Sequence, residues 1–254
     1  MPRCRAMRAG ASRKGADMAD QGALRQAIGL ADCCELMAAT WRFPDGQLCA
    51  ALCDGSYAAD ARSCLEDAGA GADALQRAAR VLAQFEGRAA ADLLPLLKRE
   101  YSLLYMAPGP DVPVWSYEAP FRFVAEGREG VPTLFRAPVT LDVERHMREA
   151  GVLPKDARRE PSDSVWNEFS FLAYAYGNVA SAIEGGQAED TQRWRGVVAA
   201  FCGQHALRWL PDFAARTDAE IARKELGCEY AALAELTRVV LDALAADVQK
   251  GAGS

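Results

Sequence analysis

The run Glu160-Pro161-Ser162-Asp163-Ser164 sets two carboxylates and two hydroxyls around a proline, directly ahead of a long apolar-periodic segment from Val165 to Ile183. Carboxylates pair with guanidinium or ammonium groups, and bidentately where the partner is arginine. Pro161 cannot continue a helix from upstream, and it pushes the residue before it towards extended backbone, so the chain enters here by a loop. Ser162, Asp163 or Ser164 can offer an oxygen to the unpaired amides of a following helix. The run therefore has two readings. It is the N-cap of an ordinary core helix, or it is a loop of exposed acids between two helical halves that grips a basic peptide.

Reactive groups elsewhere are sparse. Cys202 and His205 stand three apart and can face the same way on a helix, which is the minimum for a thiol–imidazole nucleophile. The competing reading makes His205 a partly buried packing residue and His146 a solvated helix residue. Eight cysteines lie at 4, 33, 34, 49, 53, 64, 202 and 228. Cys49 and Cys53 can share a helix face, but a metal site needs two further ligands, and no Cys-x-x-Cys pair occurs. The thiols read as small packing residues, reduced in a reducing compartment. No lysine precedes Ser or Thr, so there is no phosphate-binding Walker loop. No Gly-x-Ser-x-Gly, His-Glu-x-x-His or Glu-x-x-His motif is present. The expectation is a binding protein, not an enzyme, with no cofactor and no metal.

The elements that carry these residues are helical. Half of the 254 residues are apolar, Ala and Leu dominate, and β-branched residues rarely alternate. Leu30, Cys34, Met37 and Trp41 mark a first helix that ends before Pro44. Short helices follow at 45–54, 57–67 and 72–86, with Gly55, Gly69 and Gly87 as breaks. A helix opening at Asp92 as N-cap places Pro95 in its first turn. The Pro- and Gly-rich stretch from Ala107 to Pro113 ends it. Residues 114–136 look irregular. Thr140 caps a helix to about Ala150. Val165, Phe169, Leu172, Tyr176, Val179 and Ile183 draw one stripe down the next helix, and Gly185-Gly186 ends it. Further helices are expected at 189–210, 212–221 and 225–248.

The domain reading is a basic disordered tail over 1–19, an N-terminal helical part over 20–151, a hinge over 152–163, a C-terminal helical part over 164–250 and a tail over 251–254. Met18 is an alternative start. The tail holds Arg3, Arg5, Arg8, Arg13 and Lys14 against Asp17, so the remaining body is more acidic than the net charge of -6. An acidic body argues against nucleic acid or an anionic membrane and suits a basic partner. The N-terminus lacks the apolar region of a secretory signal, and the chain is expected to be soluble and cytoplasmic.

Four patches together resemble a known family. They are Glu100-Tyr101-Ser102-Leu103-Leu104-Tyr105 running into Pro108-Gly109-Pro110 and Pro113; Tyr117-Glu118-Ala119-Pro120-Phe121-Arg122; Pro138 to Gly151; and Glu160-Pro161-Ser162-Asp163-Ser164. His205 to Phe213 adds a weaker fifth. In order and spacing, over about residues 20–250, the set is similar to the TorD/DmsD-like chaperones, relatives of NarJ. That resemblance implies an all-α, TorD-like fold whose N- and C-terminal helical parts join at a hinge. It implies a chaperone that binds the twin-arginine leader, or the apo form, of a molybdopterin oxidoreductase subunit until cofactor insertion and export, as a monomer or a domain-swapped dimer. The hallmark histidine of the family is Ser164 here. A serine caps a helix but neither stacks nor carries charge.

On that reading the acids Glu160, Asp163, Glu118 and Glu168 pair with the leader arginines. Trp115, Tyr117, Phe121 and Trp166 line an apolar groove, with Pro161 and Ser164 completing the peptide-binding set. Two rivals stay open: a helical scaffold for a folded partner, and a cysteine redox sensor.

Overall fold

The computed structural model describes the backbone of residues 3–106, 112–153 and 160–252, and the side chains of these segments between 20 and 251. Half of the expected central hinge, residues 154–159, lies outside the described residues, as do the prolines at 108 and 110. The described residues are all-α, and their only extended pairing is one isolated antiparallel bridge between Tyr117 and Ser164. None of the described helices is long and apolar enough to cross a membrane.

The helices are α1 (Arg3–Thr40), α2 (Gly46–Asp54), α3 (Ser56–Asp67), α4 (Ala72–Leu82), α5 (Ala90–Tyr105), α6 (Glu118–Ala125), α7 (Pro138–Glu149), α8 (Val165–Glu184), α9 (Ala188–Phe201), α10 (Leu207–Lys224) and α11 (Glu229–Ala252). A π-helical segment, Cys202–Ala206, joins α9 to α10. The breaks follow the glycines: Gly55, Gly69, Gly87, Gly151 and Gly186 all hold positive φ, which costs glycine little. Asp45 caps α2 by accepting from the amides of Gln47 and Leu48.

Several boundaries differ from the sequence reading. α1 starts at Arg3, ahead of the onset expected near Asp20. α5 opens at Ala89, not Asp92, so Pro95 falls in the second turn. Thr140 does not cap α7; Ala137 precedes it and Pro138 occupies its first position, leaving Thr140 free to bond elsewhere. The segment read as irregular contains α6. The pieces expected at 189–210 and 212–221 instead divide at the π segment, and α10 runs straight through Pro211. Pro211 lies in the second turn of α10, just past that segment, where the i→i−4 ladder is already interrupted.

α8 is the central helix, packed chiefly along α1 and α9. Its predicted stripe is buried at Val165, Phe169, Leu172, Tyr176 and Val179. Phe171, Ala175, Ala180 and Ala182 are buried as well, so the helix is covered on more than one side. One apolar core runs through both halves of the chain. At its heart Trp41, the residue after α1, contacts Tyr105, Phe213 and Tyr230, and its indole N–H donates to Thr237 at 3.0 Å.

Candidate functional site

The chain between α5 and α6 runs antiparallel to the residues that enter α8. The Glu118 amide donates to the Asp163 carbonyl at 2.8 Å, and the Val165 amide donates to the Ser116 carbonyl at 3.0 Å. Ser164 caps α8, its Oγ accepting from the Asn167 amide at 3.3 Å. Asn167 in turn donates its side-chain amide to the Pro161 carbonyl at 3.1 Å. The capping reading of the acidic run is therefore correct, and Ser164 supplies the cap. Ser162, Asp163 and Ser164 are all fully buried.

This pairing decides where the acids point. Glu118, Asp163 and Glu168 are 0% exposed, which corrects the expectation of an exposed acidic loop. The reason is geometric: the bridge turns Asp163 inward beneath the first turn of α6, and α8 carries Glu168 into the core. Asp163 Oδ2 accepts from the Ala119 amide at 2.9 Å and from Thr140 Oγ1 at 3.1 Å. Glu118 accepts from Arg122 Nη1 at 2.8 Å and lies 2.7 Å from His205 Nδ1. Glu168 accepts from the Trp209 indole N–H at 3.1 and 3.0 Å.

Three carboxyl groups thus share a buried space with one arginine, one histidine, one indole and one hydroxyl. Burial pushes the Asp163 carboxyl up to about 6, against the lowering pull of the Ala119 amide and Thr140. Burial also raises Glu168 well above the usual carboxylate range, and the neighbouring Glu118 charge adds to it.

The aromatic candidates divide. Phe121 is buried against Trp209 and Phe213, and Pro161 is buried too. Trp115, Tyr117, Trp166 and Glu160 remain half-buried. Tyr117 meets Trp166 edge-on with centroids 5.6 Å apart, and its hydroxyl donates to Glu160 Oε1 at 2.9 Å. Burial first, then the Glu160 charge, raises the Tyr117 phenol. This small amphipathic surface is what the ten predicted residues present to solvent.

The sequence reading missed Arg122, Thr140, His205 and Trp209 as members of the acid cluster. The last two sit four apart across the π segment and the first turn of α10. Their only signal was the weak fifth patch of the resemblance. His146 is buried, not solvated, and contacts Phe201 and His205 edge-on. Cys202 is no activated nucleophile: burial pushes its thiol up to about 12, and His205 directs Nδ1 at Glu118 instead. The described cysteines are free, and all but Cys228 are buried.

Comparison with known proteins adds one finding. The sequence model of a family described as "Nitrate reductase delta subunit" matches residues 68–215, more than half of the chain. That span contains α4 to α9 and most of the acid cluster's surroundings, including both paired segments and Trp209. No curated protein and no solved structure matches.

Proposed function

Because the chain belongs to the Nitrate reductase delta subunit family, a family of molybdoenzyme maturation chaperones, we propose that it holds the apo form of a molybdopterin oxidoreductase subunit in the cytoplasm and binds that subunit's twin-arginine leader. The observation that carries this reading is the family match across residues 68–215, which spans both segments joined by the Tyr117–Ser164 bridge.

A twin-arginine leader offers two guanidinium groups followed by an apolar helix. Glu160 is the half-exposed acid of the set, and it stands beside Tyr117 and Trp166. It meets an arginine while Trp115, Tyr117 and Trp166 take the apolar part. Glu118, Asp163 and Glu168 act by holding this surface in place, since in the described conformation all three are buried and Glu118 is already paired with Arg122 of its own helix. One exposed ion pair contributes only about 0.2–1 kcal/mol. Micromolar binding requires about 8 kcal/mol, so apolar burial supplies most of the affinity and Glu160 sets the register.

Titration of the purified protein with a synthetic leader peptide tests the reading. Glu160→Gln weakens binding severalfold, and Trp166→Ala weakens it more, with the helical circular dichroism of both variants unchanged. Binding of the mature subunit with no response to the leader would support a scaffold for a folded partner instead.

A further inference from the structure

His205 is held from behind. Its Nδ1 lies 2.7 Å from Glu118 Oε2, a carboxylate with no exposure of its own. Its Nε2 faces the other way, is buried, and has no hydrogen-bond partner. Asp142 Oδ2 lies 3.4 Å from it. With Nδ1–H donating to Glu118, Nε2 presents a lone pair to a carboxylate oxygen. Two acceptors facing each other at that distance repel unless a cation stands between them.

A third donor converges on the same place. Asp142 and His146 stand four apart on α7, on one helix face. One nitrogen or oxygen from each of Asp142, His146 and His205 lies within 4.8 Å of the others. In a tetrahedral zinc site with bonds of about 2.0–2.1 Å, neighbouring ligand atoms stand about 3.3–3.4 Å apart. The Asp142–His205 pair already meets that edge length. The buried carboxylate behind the histidine supplies the outer support that metal-bound imidazoles use to fix tautomer and orientation. His205 also sits in the π-helical segment, a distortion that occurs often at functional sites. A hollow of about 710 Å³ opens onto Asp142 and His205 and gives an entry path.

We propose that Asp142, His146 and His205 form a binding site for one divalent transition-metal ion of the zinc type, with Glu118 as the positioning residue behind His205 and a further coordination position open towards the hollow. Such an ion would tie α7 to the π segment, next to the acid cluster. Arg145 explains how the site is charged without it. Its Nη2 stands 2.7 Å from Asp142 Oδ1 and 3.3 Å from His146 Nε2, so a guanidinium neutralises the Asp142 carboxylate and stands beside a second ligand. Arg145 is half-exposed and on the rim, so it can swing away. His146 Nε2 also lies 3.1 Å from Gln204 Oε1. One ring nitrogen cannot both donate to Gln204 and accept from Arg145, so the present contacts leave His146 imperfectly satisfied.

The test is calorimetric titration of the full-length, metal-stripped, fully reduced protein with zinc chloride, repeated with cobalt(II) for its absorption spectrum. One equivalent of zinc binds to the wild type. Affinity falls at least tenfold in Asp142→Asn, whose surface position spares the fold, and in His205→Gln. Arg145→Ala binds more tightly than the wild type, because a competing cation has gone. The proposal is overturned by absence of binding, by equal affinity in both ligand variants, by Arg145→Ala binding no better, or by a thiolate-to-cobalt charge-transfer band that places the ion at cysteine.

Discussion

Asp163→Asn is a nearly isosteric change that separates charge from shape at the centre of the acid cluster. The wild-type carboxyl titrates at about 6 in the fold against 3.8 for the free side chain. Between those values the native state holds a proton that the unfolded chain has lost. Stability therefore falls as pH rises through this window and stays reduced above it. A shift of about two units corresponds to about 3 kcal/mol at 1.36 kcal/mol per unit. Asparagine carries no charge at any of these pH values. Its oxygen still accepts from the Ala119 amide and Thr140 Oγ1, which both approach Oδ2. Its amino group takes the place of Oδ1, which has no partner, at a pH-independent cost of about 1–3 kcal/mol. The useful quantity is thus a difference of differences, which cancels that cost. Urea unfolding followed by circular dichroism, at about pH 4 and about pH 7.5, yields the variant-minus-wild-type stability at each. The variant gains on the order of 3 kcal/mol relative to wild type between the two pH values. Loss of the Asp163 charge also relieves Glu168, whose raised carboxyl is partly its doing, and this adds in the same direction. A difference that is constant with pH, or that shrinks towards pH 7.5, refutes the electrostatic account of the cluster.

Two further substitutions probe the supports of that cluster and of the fold. Trp209→Phe deletes the N–H that both Glu168 oxygens accept; thermal unfolding should show a loss of about 1–3 kcal/mol from the unsatisfied acceptor, beyond the smaller cost of the lost ring area. Gly29→Ala puts a methyl 2.3 Å from the Ala68 amide nitrogen and 2.6 Å from the Asp67 carbonyl carbon. These are backbone atoms that cannot step aside, so α1 and the end of α3 must separate. Urea unfolding should register a loss of about 1–3 kcal/mol or more, and a neutral result would show that the two helices do not pack as described.

Much of the architecture was legible because helix punctuation is local. Asp45, Gly55, Gly87 and Gly151 act within a few residues of themselves, and each marks a boundary where the sequence placed one. The α8 stripe was equally readable from its period. What was not legible depended on long-range pairing. Whether Asp163 faces water is decided by the segment some 45 residues earlier that lies against it, and no periodicity in either segment announces the bridge. Thr140 illustrates the same limit. Its type and place suited a helix cap, yet a proline two residues earlier took over the helix start and freed its hydroxyl for Asp163. His146 was read as a solvated helix residue, while it is buried and packs against Phe201 and His205 of the π segment.

The acid cluster is costly for stability alone. Three carboxyls sealed together disfavour one another's charge, and burial raises Glu168 well above the usual carboxylate range. Apolar residues of similar size in such a place commonly give an equally or more stable protein. Specific geometry is what the acids provide. Glu118 joins α6 to His205 of the π segment and also holds Arg122 on its own helix; Asp163 reaches α6 and α7; Glu168 joins α8 to α10. Hydrogen bonds with direction fix the relative rotation of these helices in a way that interchangeable methyl groups do not. The half-exposed face of Tyr117, Glu160 and Trp166 lies across two of the segments so fixed, one entering α6 and one entering α8. Its shape is therefore set by buried charge several residues away on either side.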